Sequence, residues 1–279
     1  MKIFFANDCQ NYHGGSWAVS QVIRQQIAAA GHELICEANL QVFDELIVSE
    51  CDAILVNGEG TMHDDVKRAH HLLRLLRFGQ QQGRFTALIN TSWHAMSPEF
   101  DDVLRGLDHI SVREVRSLQE LETRHGIKAE LHLDLSYDFE ISSFIEYEKQ
   151  PLLMTDLYSK EFDCYVILNG GARSKVPLLN MKKASWSETL DQISRHSFFV
   201  TGRFHGLMAA LKTRTPFAAY PSNTHKINGV LETLGGLEFL GLEYKNLFPL
   251  AARWKHHRIS YKKIFDAAAA MPKWCLPKI

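Results

Sequence analysis

The sequence predicts an α/β fold with parallel sheets. Short apolar runs rich in Phe, Ile and Val alternate with longer stretches of helical periodicity, the pattern of strands joined by crossover helices. At 279 residues the chain has room for about two domains of ordinary size. Its 46% hydrophobic and 23% charged residues, with 17 Gly and 8 Pro, suit a globular chain and exclude a disordered or collagen-like one.

In chain order, strands are expected at 2–6 (KIFFA), 33–37 (ELICE), 52–57 (DAILVN), 84–90 (RFTALIN), 108–113 (DHISVR) and 129–134 (AELHLD). Each is short, apolar and bounded by turn residues. Helices are expected at 16–30, 65–82, 98–106 and 114–125, with Gly31 and Gly126 as natural stops. Between 140 and 162 the pattern turns irregular, which places a crossing between a first domain, 1–140, and a second, 141–279. There the alternation resumes, with strands at 164–169 (CYVILN), 197–201 (SFFVT) and 215–220 (TPFAAY) and helices at 185–195, 204–212 and 225–234. Residues 259–270 read as a terminal helix.

Lys plus Arg (31) nearly balance Asp plus Glu (32), giving a formal charge of -1, so no basic excess points to nucleic acid. No apolar run approaches the roughly 18 residues of a membrane span, and Asp8 interrupts the first apolar run before a signal-peptide core forms. The expectation is a soluble, cytoplasmic protein. Five Cys (Cys9, Cys36, Cys51, Cys164, Cys275) are widely spread without a CxxC pair, which fits reduced thiols better than a disulfide framework or a cysteine zinc site.

In an open parallel sheet, ligands bind beyond the carboxyl ends of the strands, where helix N-termini gather. Three post-strand loops of the second half carry ligand-type groups: Asn169–Lys175 with Arg173, Thr201–Gly206, and Pro221–Lys226 with Asn223. In the middle loop, Arg203 offers a planar fork for a carboxylate or phosphate, and His205 can exchange a proton near neutral pH. The competing account makes Arg203 a structural cap and His205 a satisfied helix-start residue. Lys226 and Asn223 stand at a helix start that favours an anion, or else serve as a solvated Lys and a cap.

The first half has its own post-strand loops. Gly58-Glu59-Gly60-Thr61 runs into His63, Asp64 and Asp65, and Glu59, His63 or Asp65 could deprotonate an acceptor hydroxyl across an interdomain cleft. Asp64 or Asp65 could equally cap the next helix. The spacing is neither G-x-G-x-x-G nor G-K-[ST]. Arg113 ends a predicted strand and faces the same rim, or pairs with Glu114 or Asp134. The loop Asn11-Tyr12-His13-Gly14-Gly15-Ser16 could bind substrate, with Ser16 as a plain N-cap the alternative. Trp93, beside Ser92 and His94, is either a sugar-stacking ring or a core-edge residue. A metal site from His63, Asp64, Asp65, His70 and His71 is disfavoured because neighbouring His on a helix point about 100 degrees apart.

These residues resemble the polysaccharide pyruvyl transferase family. The matching features are Val56-Asn57-Gly58-Glu59-Gly60-Thr61, Ser111-Val112-Arg113-Glu114 with Ser117, Asp134-Leu135-Ser136-Tyr137-Asp138, Thr201-Gly202-Arg203-Phe204-His205-Gly206, Thr215-Pro216-Phe217 and Lys226. The resemblance implies two Rossmann-like halves similar to the GT-B glycosyltransferases, and transfer of the enolpyruvyl group of phosphoenolpyruvate onto a sugar as a pyruvate ketal. It implies Arg113, Arg203 and His205 as donor-site residues. No metal and no cofactor is expected beyond phosphoenolpyruvate as donor substrate. A lipid-linked glycan acceptor would bring the chain to the inner membrane face without an anchor, and a homo-oligomer is compatible with the sequence.

Phosphoenolpyruvate packs a carboxylate and a phosphate onto three carbons, so its site needs several cations in fixed geometry, which Arg203, Arg113, Lys226 and Arg173 can supply. His205 is then the acid and Glu59 or Asp65 the base, with Gly58, Gly60, Thr61, His63, His13 and Gly14 lining the substrate. Two rival readings use the same architecture: a glycosyltransferase acting on a nucleotide sugar, and a noncatalytic glycan-binding protein.

Overall fold

The computed structural model describes residues 1–38, 45–141, 148–155, 177–241 and 253–279. The chain divides into two compact units: Met1–Gln10, Val19–Asp138 and Pro272–Ile279 form the first, and Asn11–Ala18 with Phe139–Met271 the second. The backbone therefore passes between units at Asp138 and Phe139, and two short segments cross over, one near each end.

The first unit holds a six-stranded parallel sheet of β1 (Lys2–Ala6), β2 (Glu33–Ala38), β3 (Ala53–Asn57), β4 (Phe85–Thr91), β5 (His109–Val112) and β6 (Glu130–Leu131), in the order β2-β1-β3-β4-β5-β6. All five residues of β3 and four of the five in β1 are buried, the continuous apolar signature of a parallel strand covered on both faces. Helices α1 (Gly14–Ala29), α2 (Glu45–Ser49), α3 (Lys67–Gln81), α4 (Asp101–Arg105) and α5 (Val115–Glu120) follow strands or link them. Helix α3 buries Leu72, Leu73, Leu75 and Leu76 against a core that includes Ile54, Val56, Leu88 and Trp93. A π-helical turn, Leu121–His125, extends α5 and stops at Gly126 in the left-handed region (φ 67°), where only glycine fits without strain. A four-residue helix, α6 (Leu135–Asp138), ends this unit's main segment.

Among its described residues the second unit has a four-stranded parallel sheet of β7 (Leu153–Thr155), β8 (Leu178–Leu179), β9 (Phe199–Thr201) and β10 (Phe217–Ala219), ordered β10-β9-β7-β8. Helix α7 (Trp186–Ser194) opens on a capping box: Ser185 Oγ accepts from the Glu188 N–H at 3.2 Å, and Glu188 accepts from the Ser185 N–H at 2.8 Å. Helix α8 (Phe204–Thr213) follows β9, and α9 (Lys226–Thr233) follows β10. The terminal helix α10 (Arg258–Ala270) sends Tyr261 into an aromatic cluster with Phe217, Phe239 and Phe265, where its hydroxyl donates to the Phe217 carbonyl at 2.6 Å. The strand expected at 164–169 lies outside the described residues. Strands β7 and β8 and the short helices α2 and α6 were not anticipated from the sequence.

Strand order sets where ligands can bind. In the first unit the chain leaves β1 toward β2 on one side and resumes at β3 on the other, so order reverses between β1 and β3. In the second unit the same reversal falls between β7 and β9 among the described residues. Crevices at such switch points, beyond the carboxyl ends, are where open α/β sheets place their chemistry.

Candidate active site

Strands β9 and β10 pair in parallel with Phe199 opposite Phe217 and Thr201 opposite Ala219, so the turns that follow them emerge side by side. The first turn carries Arg203 and His205. Thr201 Oγ1 accepts from the Arg203 N–H at 3.0 Å and meets Thr155 Oγ1 at 2.9 Å, tying the ends of β7 and β9 together at the switch point. Arg203 is the N-cap of α8, extended at φ -94° and ψ 131°. A Cβ at Gly206 would collide with Thr201, so glycine there lets the first turn of α8 seat on the strand end. The second turn carries Asn223, whose Oδ1 accepts from Ser222 Oγ at 3.1 Å and Lys226 Nζ at 2.9 Å. Lys226 opens α9.

His205 is buried at 6% exposure. Its ring meets His13 edge-on at 4.7 Å between centroids and lies 6.3 Å from Trp186. His13 stands just before α1 and caps it: the Ser16 N–H donates to His13 Nδ1 at 3.1 Å and the Trp17 N–H to the His13 carbonyl at 3.0 Å. Because Nδ1 accepts, the neutral ring carries its proton on Nε2. A Cβ on Gly14 would strike the Ser185–Trp186 backbone, and one on Gly15 the His205 ring itself. The glycine pair thus allows the start of α1 to pack directly on the imidazole.

The first unit's switch point is a closed polar network. Asn7 follows β1 in the left-handed region (φ 60°), which Asn tolerates better than other residues with a Cβ. Its Nδ2 donates to the carbonyls of Asn57 at 2.5 Å and Glu59 at 3.2 Å, and to Thr61 Oγ1 at 3.3 Å. Arg68 of α3 donates to Asn7 Oδ1 at 2.6 Å. Gly58 has no room for a Cβ against Thr91, and Gly60 takes φ 68°. Thr61 Oγ1 donates back to the Gly58 carbonyl at 3.2 Å, closing the turn. The Glu59 side chain, 7% exposed, accepts from Asn57 Nδ2 at 3.4 Å. Beside it the Cys9 thiol is pushed up to about 12, first by burial and then by the Glu59 carboxylate, against the opposing pull of Arg68.

Asp65 accepts from the Ser97 N–H at 2.9 Å and stands 3.5 Å from His70 Nε2. The Ser97 hydrogen bond is the main reason its carboxyl is held below the usual range. His63 pairs with Asp64 at 2.9 Å. Arg113 is 2% exposed; Nη1 lies 2.6 Å from Asp134 Oδ2 and Nε donates to Ser92 Oγ at 2.8 Å. Neighbouring Glu114 caps α5 by accepting from the N–H groups of Arg116 and Ser117.

A family model of polysaccharide pyruvyl transferases matches residues 5–224. The chain belongs to the polysaccharide pyruvyl transferase family. A search of curated proteins gives no match. Solved structures with a similar α/β fold include a UDP-N-acetylglucosamine 2-epimerase (11% identity, TM-score 0.56, 98% of this chain and 91% of that one). An uncharacterized Klebsiella pneumoniae protein aligns at 10% identity and TM-score 0.55 over 83% and 86% of the two chains. An α-glucosyltransferase in complex with UDP and DNA aligns at 9% identity and TM-score 0.50 over 97% and 93%. At these identities the likeness is one of fold, two parallel sheets with helices, in the manner of GT-B glycosyltransferases and epimerases.

In this pyruvyl transferase family member, the sequence-expected residues fall into two groups. Arg203, His205, Asn223, Lys226, His13 and Gly14 all belong to the second unit. Gly58, Glu59, Gly60, Thr61, His63, Asp65 and Arg113 belong to the first. Arg173 lies outside the described residues. Trp93 is fully buried and donates to His125 Nε2 at 3.2 Å, so of the two readings left open for it the core one holds and sugar stacking does not. Sequence reasoning missed Gly15 against His205, and Asn7 and Arg68 in the first unit's network. The adjacent glycines, and the polar pair Asn7-Asp8 straight after a buried strand, were the signals on offer.

Proposed function

We propose that this family member moves the enolpyruvyl group of phosphoenolpyruvate onto a sugar of a surface glycan and closes a pyruvate ketal. The observation that carries the reading is the Arg203-x-His205 turn at the second unit's switch point, beside the Lys226 turn on the adjacent parallel strand. Arg203 and Lys226 are the cations for the donor's carboxylate and phosphate. His205 gives a proton to the methylene carbon, which becomes a methyl group and leaves C2 electrophilic. A sugar hydroxyl then bonds to C2 and gives its proton to a general base. Glu59 and Asp65 are the two carboxylates proposed for that task. The C2–O bond to phosphate breaks, inorganic phosphate leaves, and a second hydroxyl of the same sugar bonds to C2 as its proton passes to the now-deprotonated His205.

No metal or cofactor enters this scheme. No helix among the described residues is long and apolar enough to cross a membrane; the reading places the chain in the cytoplasm, with a lipid-linked acceptor bringing it to the inner membrane face. The test is a thermal-shift and calorimetric titration with phosphoenolpyruvate beside UDP-, GDP- and CMP-sugars, repeated on Arg203→Ala. Saturable phosphoenolpyruvate binding that Arg203→Ala abolishes is expected. Binding of a nucleotide sugar alone would make the chain a glycosyltransferase instead.

A further inference from the structure

Among the described residues, the large aromatic side chains left exposed are Tyr12, at 72%, and Trp17, at 38%. Both sit on the short N-terminal segment that the second unit takes from the start of the chain. Exposed aromatic rings confined to one short segment beside a reaction centre are a binding signal rather than ordinary surface.

That segment is held firmly. His13 accepts the first amides of α1, Gly14 and Gly15 pack on the start of α7 and on His205, and Trp17 leans on Phe139 at 5.3 Å between centroids. Tyr12 meets the His13 ring at 5.5 Å, and His13 meets His205 at 4.7 Å. The three rings run in sequence from the buried imidazole out to the exposed phenol. Trp93 is fully buried and unavailable for stacking.

We propose that Tyr12 is the stacking surface for a pyranose ring of the acceptor glycan. The inference rests on the pyruvyl-transfer reading for the identity of the reaction, and on the ring sequence for the place. A pyranose offers an apolar face of C–H bonds that an aromatic ring covers, and the phenol supplies a polar tip for the sugar's hydroxyls.

The test uses the whole chain with methyl glucoside, methyl galactoside and methyl mannoside as probes, followed by calorimetry and ligand-observed NMR. Tyr12→Ala is expected to weaken the preferred glycoside about tenfold, the loss of one good aromatic contact, while Tyr12→Phe keeps the stack and stays close to the parent. In turnover, Tyr12→Ala should raise the acceptor KM by a similar factor with little change in kcat and an unchanged phosphoenolpyruvate thermal shift. Glycoside binding and acceptor KM unaltered by Tyr12→Ala would overturn the proposal. So would a concentration-dependent dimer, seen by sedimentation, that Tyr12→Ala dissolves, since the rings would then face a second copy. Should the parent bind no phosphoenolpyruvate, the reaction reading fails while the glycoside arm still decides the platform.

Discussion

Arg113→Met tests whether the ion pair beneath the first unit's rim is sealed from water. The Arg113 side chain is 2% exposed and that of Asp134 0%, with 2.6 Å between Nη1 and Oδ2. Asp134 Oδ1 takes the Ser136 N–H at 3.0 Å and Ser136 Oγ at 2.6 Å, so removing the guanidinium leaves a buried carboxylate that keeps those donors but has lost its Arg113 partner. Breaking a buried pair from one side costs about 3–5 kcal/mol. For a unit of this size each kcal/mol lowers the melting temperature by about 2–4 °C, so the expected drop is roughly 6–20 °C by calorimetry at neutral pH.

Two further measurements sharpen the case. The double variant Arg113→Met/Asp134→Leu removes both charges and should recover most of the loss. Phosphoenolpyruvate titration of that double variant reads any direct part of Arg113 in donor binding apart from folding. A melting temperature within about 3 °C of the parent for Arg113→Met, or a double variant no better than the single, would refute the reasoning.

His205→Asn should lower kcat by about 10²–10⁴ while the phosphoenolpyruvate thermal shift persists, and near-normal turnover would remove His205 as the acid; Arg203→Lys should chiefly raise the donor KM, because the planar fork is lost. Gly15→Ala places a methyl group on the His205 ring and should cost about 1–3 kcal/mol in denaturant melts together with activity, whereas Ser16→Ala should leave the packing intact. Asp65 is held low by the Ser97 hydrogen bond, so its contribution is present above its unfolded pKa and fades as pH falls through the lower folded value; Asp65→Asn should be less stable than the parent in urea at neutral pH, by a margin that narrows as pH falls below about 3.9. With its thiol at about 12, Cys9 should resist iodoacetamide at about pH 8 while exposed Cys275 labels, as peptide mapping would show, and early labelling of Cys9 in the folded chain would contradict its burial.

What the sequence made legible follows from which forces are local. Strands β1 and β3 are almost wholly buried, and burial leaves a continuous apolar run that no helix of that length would need. Strand β6 was expected over six residues and is paired over two, Glu130 and Leu131, a few residues before the chain turns into α6 at Leu135. Strands β7 and β8 are three and two residues long, too short for any period to show. Helix α1 begins at Gly14 rather than at 16, since its cap is a histidine ring nitrogen and not the hydroxyl that a reading from Ser16 assumes. The Arg203-x-His205 turn was legible because strand, turn and helix are contiguous. Its neighbours were not, because they arrive from the far end of the chain. A glycine pair after a first strand reads as backbone making way for a ligand. Here Gly14 and Gly15 make way for α7 and for the imidazole of His205, so the absence of Cβ that suggested substrate contact serves the packing around that ring. Packing thus accounts for both glycines of this loop, and under the pyruvyl-transfer proposal that packing holds His205 in place.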